Sequence, residues 1–197
     1  MPHALCLVSL RAANAGLTLS RISSHWCNMS RKTRVFRIDD AMPKDLRGLG
    51  NIWQEMMTLH QSRDIHFALD SGALQHWLKD VAVLVERDDA FVLQVSHDDV
   101  LFGFGVGWIA HNSPIYRQRQ IGFVSEFAVA KEHQGQGSGS ALFLGVKKWF
   151  HERKVDEFHL STAAWNEDAR QFWEAKGGKA LLVHYIFDSS NQEICDE

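Results

Sequence analysis

Three glycines at alternate positions mark the segment of this sequence that is best suited to bind a ligand. Gly135, Gly137 and Gly139 follow an apolar stretch and precede residues 138–153, in which apolar side chains recur at helical spacing. Glycine lets a backbone turn tightly and approach a ligand closely. The first turn of the helix leaves N–H groups without intrahelical partners at the positive end of the helix dipole. The spacing therefore predicts a site for a phosphate or pyrophosphate group.

The same spacing argues against two common phosphate sites. A Walker loop requires Lys followed by Ser or Thr after its last glycine, whereas Ser140 and Ala141 follow here. A dinucleotide-binding turn would have a third glycine at position 140, which is Ser140 in this chain. A flexible surface loop is the alternative explanation for the glycines.

Two segments of the sequence resemble the signatures of one superfamily. The pattern Gln134-x-x-Gly137-x-Gly139 resembles the acetyl-coenzyme A (acetyl-CoA) loop of the GNAT N-acetyltransferases. Residues 166–177 hold an Asn, an Ala three positions later, an aromatic pair and a Gly, and they resemble the second GNAT signature.

The resemblance extends over roughly residues 34–187. Residues 52–64 are similar to the first GNAT helix, and residues 91–104 are similar to an early β-hairpin of these proteins. The family implies an α/β (α+β) fold with a mixed central sheet. In that fold an antiparallel N-terminal meander is followed by a parallel β-α-β crossover, and helices flank the sheet.

Periodicity predicts elements in the same order. Pro43 suits the first turn of a helix, and Ser71 is a plausible N-cap for the next one. Further helices are expected at 138–153 and from Asn166 onward. Strands are expected at residues 34–39, 90–96, 101–110, 121–129, 157–162 and 179–187.

The two ends of the chain differ from its body. Residues 1–38 contain six Lys and Arg residues and no Asp or Glu. We expect residues 1–30 to be a disordered or spurious extension before a start at Met29, with an organelle transit peptide as the alternative. Residues 31–188 then form a GNAT domain, and residues 189–197 form a polar tail.

Composition is that of a globular protein with an acidic body. The chain has 197 residues, of which 45% are hydrophobic, and no apolar run reaches the roughly 18 residues of a membrane span. Removing the six N-terminal charges from 21 Lys and Arg leaves 15 against 24 Asp and Glu. The excess of carboxylates favours a cationic amine over nucleic acid as the partner, and no membrane association is expected.

Cysteine and histidine spacing predicts no metal site. Cys6, Cys27 and Cys195 are odd in number and form no C-x-x-C pair. We interpret them as reduced thiols of a cytoplasmic protein without a metal cofactor.

The resemblance implies acetyl transfer by direct attack of an amine on a thioester, in a ternary complex with acetyl-CoA. The acceptor would be a primary amine of a small molecule or peptide, recognised by residues 61–67, including Asp64, and by residues 111–119. Family members often form homodimers. The implied cofactor-binding residues are Phe127, Ala128 and Val129 along the pantetheine arm, Gln134, Gly135, Gln136, Gly137, Ser138, Gly139 and Ser140 at the pyrophosphate, and Asn166 and Trp173 on the opposite side.

Three of these residues have competing interpretations. Glu126 is at the position of an acidic residue in many GNAT enzymes and is predicted to share a strand face with Val124 and Ala128, where burial would raise its pKa. It is the predicted general base or water-positioning carboxylate, with a solvated surface acid as the alternative. Asn166 is equally suited to cap a helix. Trp173 replaces the tyrosine that often acts as general acid. Its indole can donate a hydrogen bond but not a proton, and packing in the core is the interpretation that we favour for it.

The missing tyrosine keeps two other hypotheses open. One is a catalytically silent domain that binds acyl-CoA as a sensor or interaction module. The other is an enzyme of the same fold that transfers a longer acyl chain or an aminoacyl group. Tyr116 and Tyr185 are the only tyrosines in the chain.

Overall fold

The computed structural model describes residues 34–188, which fold around one five-stranded sheet. The strands follow each other in chain order across the sheet. The first four pair antiparallel, and the last pair is parallel. The strands are β1 (Arg37–Asp40), β2 (Ala90–His97), β3 (Val100–His111), β4 (Gln120–Val129) and β5 (Phe158–Leu160).

Four helices cover the two faces of this sheet. One apolar cluster joins the first two helices to one face, and a second cluster joins the last two helices to the other. The predicted α/β (α+β) architecture, with its antiparallel meander and parallel crossover, is confirmed. The helices are α1 (Leu46–Gln61), α2 (Ala73–Val85), α3 (Ser138–Glu152) and α4 (Glu167–Ala175).

Aromatic packing fixes the position of α3 and α4 against β4. Phe127 is fully buried, and its ring centroid lies 5.0 Å from that of Trp173 in an edge-on contact. Truncating a buried Phe of this kind to Ala costs about 3–5 kcal/mol. Trp173 also lies 5.8 Å from Phe143 of α3, ring centroid to ring centroid, so both helices pack beside the strand that precedes the glycine-rich loop.

Two predictions of local structure are wrong. Ser71 does not cap α2, since the helix begins at Ala73 after Gly72 and no side chain accepts a hydrogen bond at this end. Residues 179–187 form no strand and are exposed. A strand needs a ladder partner, and the sheet ends at the three residues of β5, with which this segment does not pair.

Several predictions concern residues outside the described range. They include the N-terminal extension at 1–30, the tail at 189–197, and Cys6, Cys27 and Cys195. Within residues 34–188, no helix combines the length and apolar character that crossing a membrane requires.

Candidate active site

The glycine-rich segment forms a tight turn between β4 and α3. Gly135 and Gly137 have φ values of +71° and +94°, in the left-handed region where a side chain would strain the backbone. Gly137 is the N-cap of α3, which begins at Ser138. We refer to residues 134–140 as the phosphate loop.

The phosphate loop presents a row of N–H groups. The first helical hydrogen bond of α3 runs from the N–H of Ala141 to the carbonyl of Gly137, at 3.0 Å. Among the hydrogen bonds of residues 34–188, none pairs an N–H of residues 135–140 with a backbone carbonyl. Residues 135–137 are exposed, whereas Ser138 and Gly139 are buried, so the N–H groups of residues 135–137 are those most accessible to a ligand.

Side chains of the phosphate loop hold its shape. The Gln134 amide donates to the carbonyl of Val129 at 3.0 Å, and the Ser138 hydroxyl donates to that of His133 at 3.1 Å. His133 in turn stacks on Phe102 with ring centroids 3.7 Å apart. The buried Ser138 hydroxyl thus supports the turn, and the ligand-facing donors are backbone groups.

A lysine that sequence analysis missed lies beside the phosphate loop. Lys176, at the end of α4, donates from Nζ to the Ser140 hydroxyl at 2.7 Å and lies 5.4 Å from the centroid of the Phe172 ring. The end of α4 thereby brings a positive charge to the first turn of α3. No local pattern signals this contact, because the two residues are 36 positions apart.

A β-bulge sets the direction of Glu126. Glu126 pairs with Val106, but the next residue pair is Val124 with Gly107, so Ser125 is an extra residue in β4. Val124 consequently packs in the cluster on the α3 side, whereas Ala128 packs in the cluster on the α1 and α2 side. The prediction that Glu126 shares a face with Val124 is wrong, because the bulge shifts the alternation by one residue.

Glu126 lies in a pocket that we call the carboxylate pocket. Trp77 of α2 donates its indole N–H to Oε1 at 3.4 Å, and the hydroxyl of the bulge residue Ser125 donates to Oε2. Trp77 also stacks on Trp53 of α1, with ring centroids 5.2 Å apart. The pocket is assembled from α1, α2 and β4.

Burial raises the pKa of Glu126 above its ordinary value. The hydrogen bonds from Ser125 and Trp77 act in the opposite direction, and the negative charge of Asp80 adds to the rise. A carboxylate whose pKa is raised in this way is a better proton acceptor near neutral pH than a solvated Glu.

The sheet opens beside the carboxylate pocket. β4 pairs with β5 only from Gly122 to Val124, and beyond the bulge Phe127, Ala128 and Val129 pair with β3 alone. Beyond Val124 the β5-facing side of β4 therefore has no strand partner among residues 34–188, although the Val129 carbonyl accepts the Gln134 amide. A ligand that enters between the strands could pair with this side of β4.

Asn166 and Trp173 lie at the N-cap and in the last turns of α4. Asn166 caps α4, since its side-chain oxygen accepts the N–H of Ala169 at 3.1 Å. Trp173 is packed in the core, and its buried indole N–H has no hydrogen-bond partner among residues 34–188.

Among residues 34–188, Asp64, Tyr116 and Tyr185 form no described hydrogen bond with Glu126 or with the phosphate loop. Asp64 caps the turn Ile65–Phe67 and accepts a hydrogen bond from the His66 ring at 2.8 Å. Hydrogen bonds from the backbone and the side chain of His66 lower the pKa of Asp64. Tyr116 and Tyr185 are exposed. No group of three His, Cys, Asp or Glu side chains suited to a metal ion occurs in the described part of the chain.

The parts of the site suit a ligand with a phosphate group and a linear polar arm. The phosphate loop supplies N–H donors and a nearby cation, and the strand gap supplies unpaired backbone for an amide-containing arm. Glu126 immediately precedes this backbone in β4 and holds a carboxylate with a raised pKa.

Comparison with known protein families assigns the chain to one of them. The sequence profile described as the acetyltransferase (GNAT) family matches residues 51–178. No curated protein sequence gave a significant match.

Solved structures share the fold at low sequence identity. The tetramutant of the BH1408 protein from Bacillus halodurans is 18% identical in sequence and superposes with a TM-score of 0.71. The match covers 77% of this chain and 99% of the BH1408 chain. The aminoglycoside acetyltransferase AAC(6')-Iy, in complex with a bisubstrate analogue of CoA and acetylneamine, is 13% identical, with a TM-score of 0.63 over 79% and 98%. The aminoglycoside acetyltransferase meta-AAC0020 from an uncultured soil sample, in complex with sisomicin, is 14% identical, with a TM-score of 0.58 over 78% and 95%.

Proposed function

Since this chain belongs to the GNAT acetyltransferase family, we propose that it transfers an acetyl group from acetyl-CoA to a primary amine of a small molecule or peptide. The observation that carries this proposal is the row of N–H groups at residues 135–140, which directly follows the strand gap along β4. A pyrophosphate and the arm attached to it would occupy these two features in turn.

In the proposed complex the phosphate loop binds the pyrophosphate through its backbone. Lys176 turns from the Ser140 hydroxyl toward a phosphate oxygen, because a charged acceptor binds an ammonium group more strongly than a neutral one. The amide groups of the pantetheine arm pair with the backbone of Phe127, Ala128 and Val129. This places the thioester close to the β4 bulge.

The amine then attacks the thioester carbonyl carbon. The N–C bond forms as the C–S bond breaks, and the electron pair of that bond leaves with sulfur. The nitrogen of a cationic acceptor loses two protons in all. Glu126 accepts the first, directly or through water, which converts the ammonium group into a neutral amine that can attack, and the second is lost from nitrogen as the amide forms and passes through water to the thiolate. The thiolate needs no strong acid to leave, because the pKa of a thiol is about 8.5.

The acceptor is proposed to be cationic before it reacts. Asp80 acts on Glu126 electrostatically, and the chain outside its N-terminal region has more carboxylates than Lys and Arg. Two of the similar structures are aminoglycoside acetyltransferases. Aminoglycosides carry several amino groups, so they are a reasonable first group to screen. We place the reaction in the cytoplasm.

An assay of thiol release tests the proposed reaction. The protein is incubated with acetyl-CoA and a panel of amines that includes aminoglycosides, polyamines and peptides with free N-termini. We expect CoA thiol to appear at an amine-dependent rate above that of free acetyl-CoA. The result that counts against transferase activity is saturable acetyl-CoA binding without amine-dependent release over the whole panel.

That outcome would favour a silent acyl-CoA-binding domain. One observation supports this second candidate: Tyr116 and Tyr185 are both exposed, and Trp173 cannot donate a proton. Donors with longer acyl chains, tested in the same assay, would separate an acetyltransferase from an enzyme of different acyl preference.

A further inference from the structure

A buried hydroxyl lies between Glu126 and a backbone carbonyl. It belongs to Ser125, the extra residue of the β4 bulge, which is 4% exposed. Its Oγ is in hydrogen-bond contact with Glu126 Oε2 and lies 3.3 Å from the carbonyl oxygen of Val106 on β3. A hydroxyl carries one hydrogen and two acceptor lone pairs, so it can donate to only one of these two oxygens at a time.

The bulge brings the side chains of Ser125 and Glu126 together. In a regular strand, successive side chains point to opposite faces of the sheet, so two neighbours of this kind would be separated. A bulge re-aims a side chain, and bulges often lie next to active sites. Here the bulge places two polar side chains in contact within a strand whose Val124, Phe127 and Ala128 pack in the apolar clusters.

The proposed reaction requires the carboxylate pocket to hold Glu126 as an acid as well as an anion. Once Glu126 has accepted a proton, its O–H needs an acceptor, because a buried polar group that is left unpaired is costly. The indole of Trp77, which also contacts this carboxyl group, can only donate. Among residues 34–188, the Ser125 oxygen is therefore the described hydrogen-bond acceptor for the acid.

We propose that Ser125 is a positioning residue that reverses its hydrogen bond with Glu126 when Glu126 takes up a proton. With Glu126 ionised, the Ser125 hydroxyl donates to Oε2. When Oε2 receives the proton of the acceptor ammonium group, it donates to Ser125 Oγ, and the Ser125 hydrogen turns to the carbonyl of Val106. Ser125 keeps one proton throughout, and Glu126 releases its proton to water before the next turnover. The source of the proton follows from the proposed function, so this role in turnover rests on it, whereas the reversal itself does not.

The reversal keeps the carboxyl group of Glu126 in one orientation during turnover. Only a hydroxyl hydrogen has to move, while the Trp77 indole stays 3.4 Å from Oε1. A general base must remain within hydrogen-bond reach of the proton that it removes, so a fixed orientation favours the reaction. Burial favours the acid form of Glu126 most, and the negative charge of Asp80, the charged group that acts on it within residues 34–188, adds to this.

Infrared difference spectra of the full chain, recorded between low and high pH, test the reversal without any substrate. The carboxylic acid band of Glu126 is the one that Glu126→Gln lacks. Its carbonyl stretch should lie at higher frequency in Ser125→Ala, where the acid has lost its acceptor, and at the wild-type frequency in Ser125→Thr, which keeps the hydroxyl. Ser125→Cys is close to serine in size and has a thiol that donates and accepts weakly, so it should shift the band less than Ser125→Ala. An unmoved band in Ser125→Ala, or no Glu126 band in the wild-type chain, would overturn the inference.

Kinetics separate this role from a purely structural one. In Ser125→Ala we expect kcat to fall roughly tenfold, as for the loss of a hydrogen bond to a charged group, while the KM for acetyl-CoA stays unchanged. The profile of kcat/KM should also move to higher pH, because the hydrogen bond from Ser125 lowers the pKa of Glu126, and Ser125→Thr should restore both. A lower rate with an unmoved profile would contradict the role in turnover. A shifted infrared band without amine-dependent thiol release by the wild-type chain would support the reversal and refute the proposed reaction.

Discussion

The phosphate loop and the carboxylate pocket lie next to each other along one strand but are built in different ways. The loop uses backbone N–H groups from consecutive residues, and its shape depends on two glycines in the left-handed region. The pocket uses side chains from α1, α2 and a bulged strand. Ligand binding in the phosphate loop should therefore be sensitive to changes in backbone conformation. The reaction at the carboxylate pocket should instead be sensitive to the loss of a single side-chain group.

Removing the carboxylate of Glu126 should have the largest effect. In Glu126→Gln we expect kcat to fall by about 10²-fold or more, since general base catalysis contributes roughly 10²–10⁴-fold. The Kd for acetyl-CoA should stay within about twofold of wild type, because the phosphate loop is unchanged. Glu132→Gln, an exposed carboxylate near the loop, is the matched control for kinetics and calorimetry.

The same substitution should stabilise the protein at neutral pH. Burial raises the folded-state pKa of Glu126, so the folded state keeps a proton that the unfolded state releases. Stability is thus lost as pH rises from the unfolded-state pKa, about 4.3, through the raised folded-state pKa. Glu126→Gln should melt above wild type at pH 7, and the difference should shrink below about pH 4. An equal difference at both pH values would contradict this account.

Adding a methyl group to the phosphate loop should have the second largest effect, a loss of affinity for acetyl-CoA. Gly137→Ala places a Cβ at φ +94° and 3.6 Å from the Phe36 ring. The left-handed backbone costs about 1–2 kcal/mol of folding stability with a side chain, so we expect the turn to shift and its N–H groups to move out of line. We expect the Kd for acetyl-CoA to rise by about tenfold or more.

Gly177→Ala separates strain from binding. Gly177 has a similar φ of +89°, and an added Cβ there meets nothing within 4 Å. This variant should lose comparable stability but bind acetyl-CoA normally. Equal loss of affinity in both variants would show that destabilisation, rather than the loop, controls binding.

Neutralising Lys176 should have a smaller effect on KM, and the size of this effect should depend on whether the acyl donor carries a phosphate group. In Lys176→Met we expect the KM for acetyl-CoA to rise roughly fivefold to tenfold at low salt, and less at high salt, where screening already weakens the charge. The KM for S-acetyl-N-acetylcysteamine, a thioester without phosphate, should not change. Lys179→Met is the control, and a similar rise for both donors would exclude a phosphate contact.

Substitution of Trp77 and substitution of Asp80 should shift the pH dependence of kcat/KM in opposite directions. Trp77→Phe removes a hydrogen bond that lowers the pKa of Glu126, so the rate should begin to rise at higher pH than in wild type. Asp80→Asn removes a charge that raises this pKa, so the profile should move to lower pH. Profiles of kcat/KM against pH that move in the same direction would argue against Glu126 as the titrating group.

Sequence predicted the phosphate loop better than the carboxylate pocket for a physical reason. A glycine turn at a helix start is encoded by neighbouring residues, so Gly135 and Gly137 could be identified directly. The orientation of Glu126 depends on the extra residue Ser125, which becomes visible only when β4 is paired with β3. Trp77 and Lys176 are separated from their partners by 49 and 36 positions, and sequence periodicity carries no information on such contacts.

In the fold, too, elements that depend on neighbouring residues could be predicted from the sequence, whereas those that depend on distant contacts could not. Helices and strands with clear periodicity, such as α1 and β2, are found where the sequence predicts them. Residues 179–187 have the pattern of a strand, but a strand also requires a partner, and sequence alone does not supply one.

Binding of acetyl-CoA to the full chain, followed by its melting temperature, is the most direct test of the central claim. A saturable rise is predicted, since a ligand at 100 times its Kd adds about 2.7 kcal/mol to the free energy of unfolding. Gly137→Ala should require a higher ligand concentration for the same rise. An unchanged melting temperature at millimolar acetyl-CoA would contradict the account, because the phosphate loop and strand gap would then lack the ligand for which they are proposed.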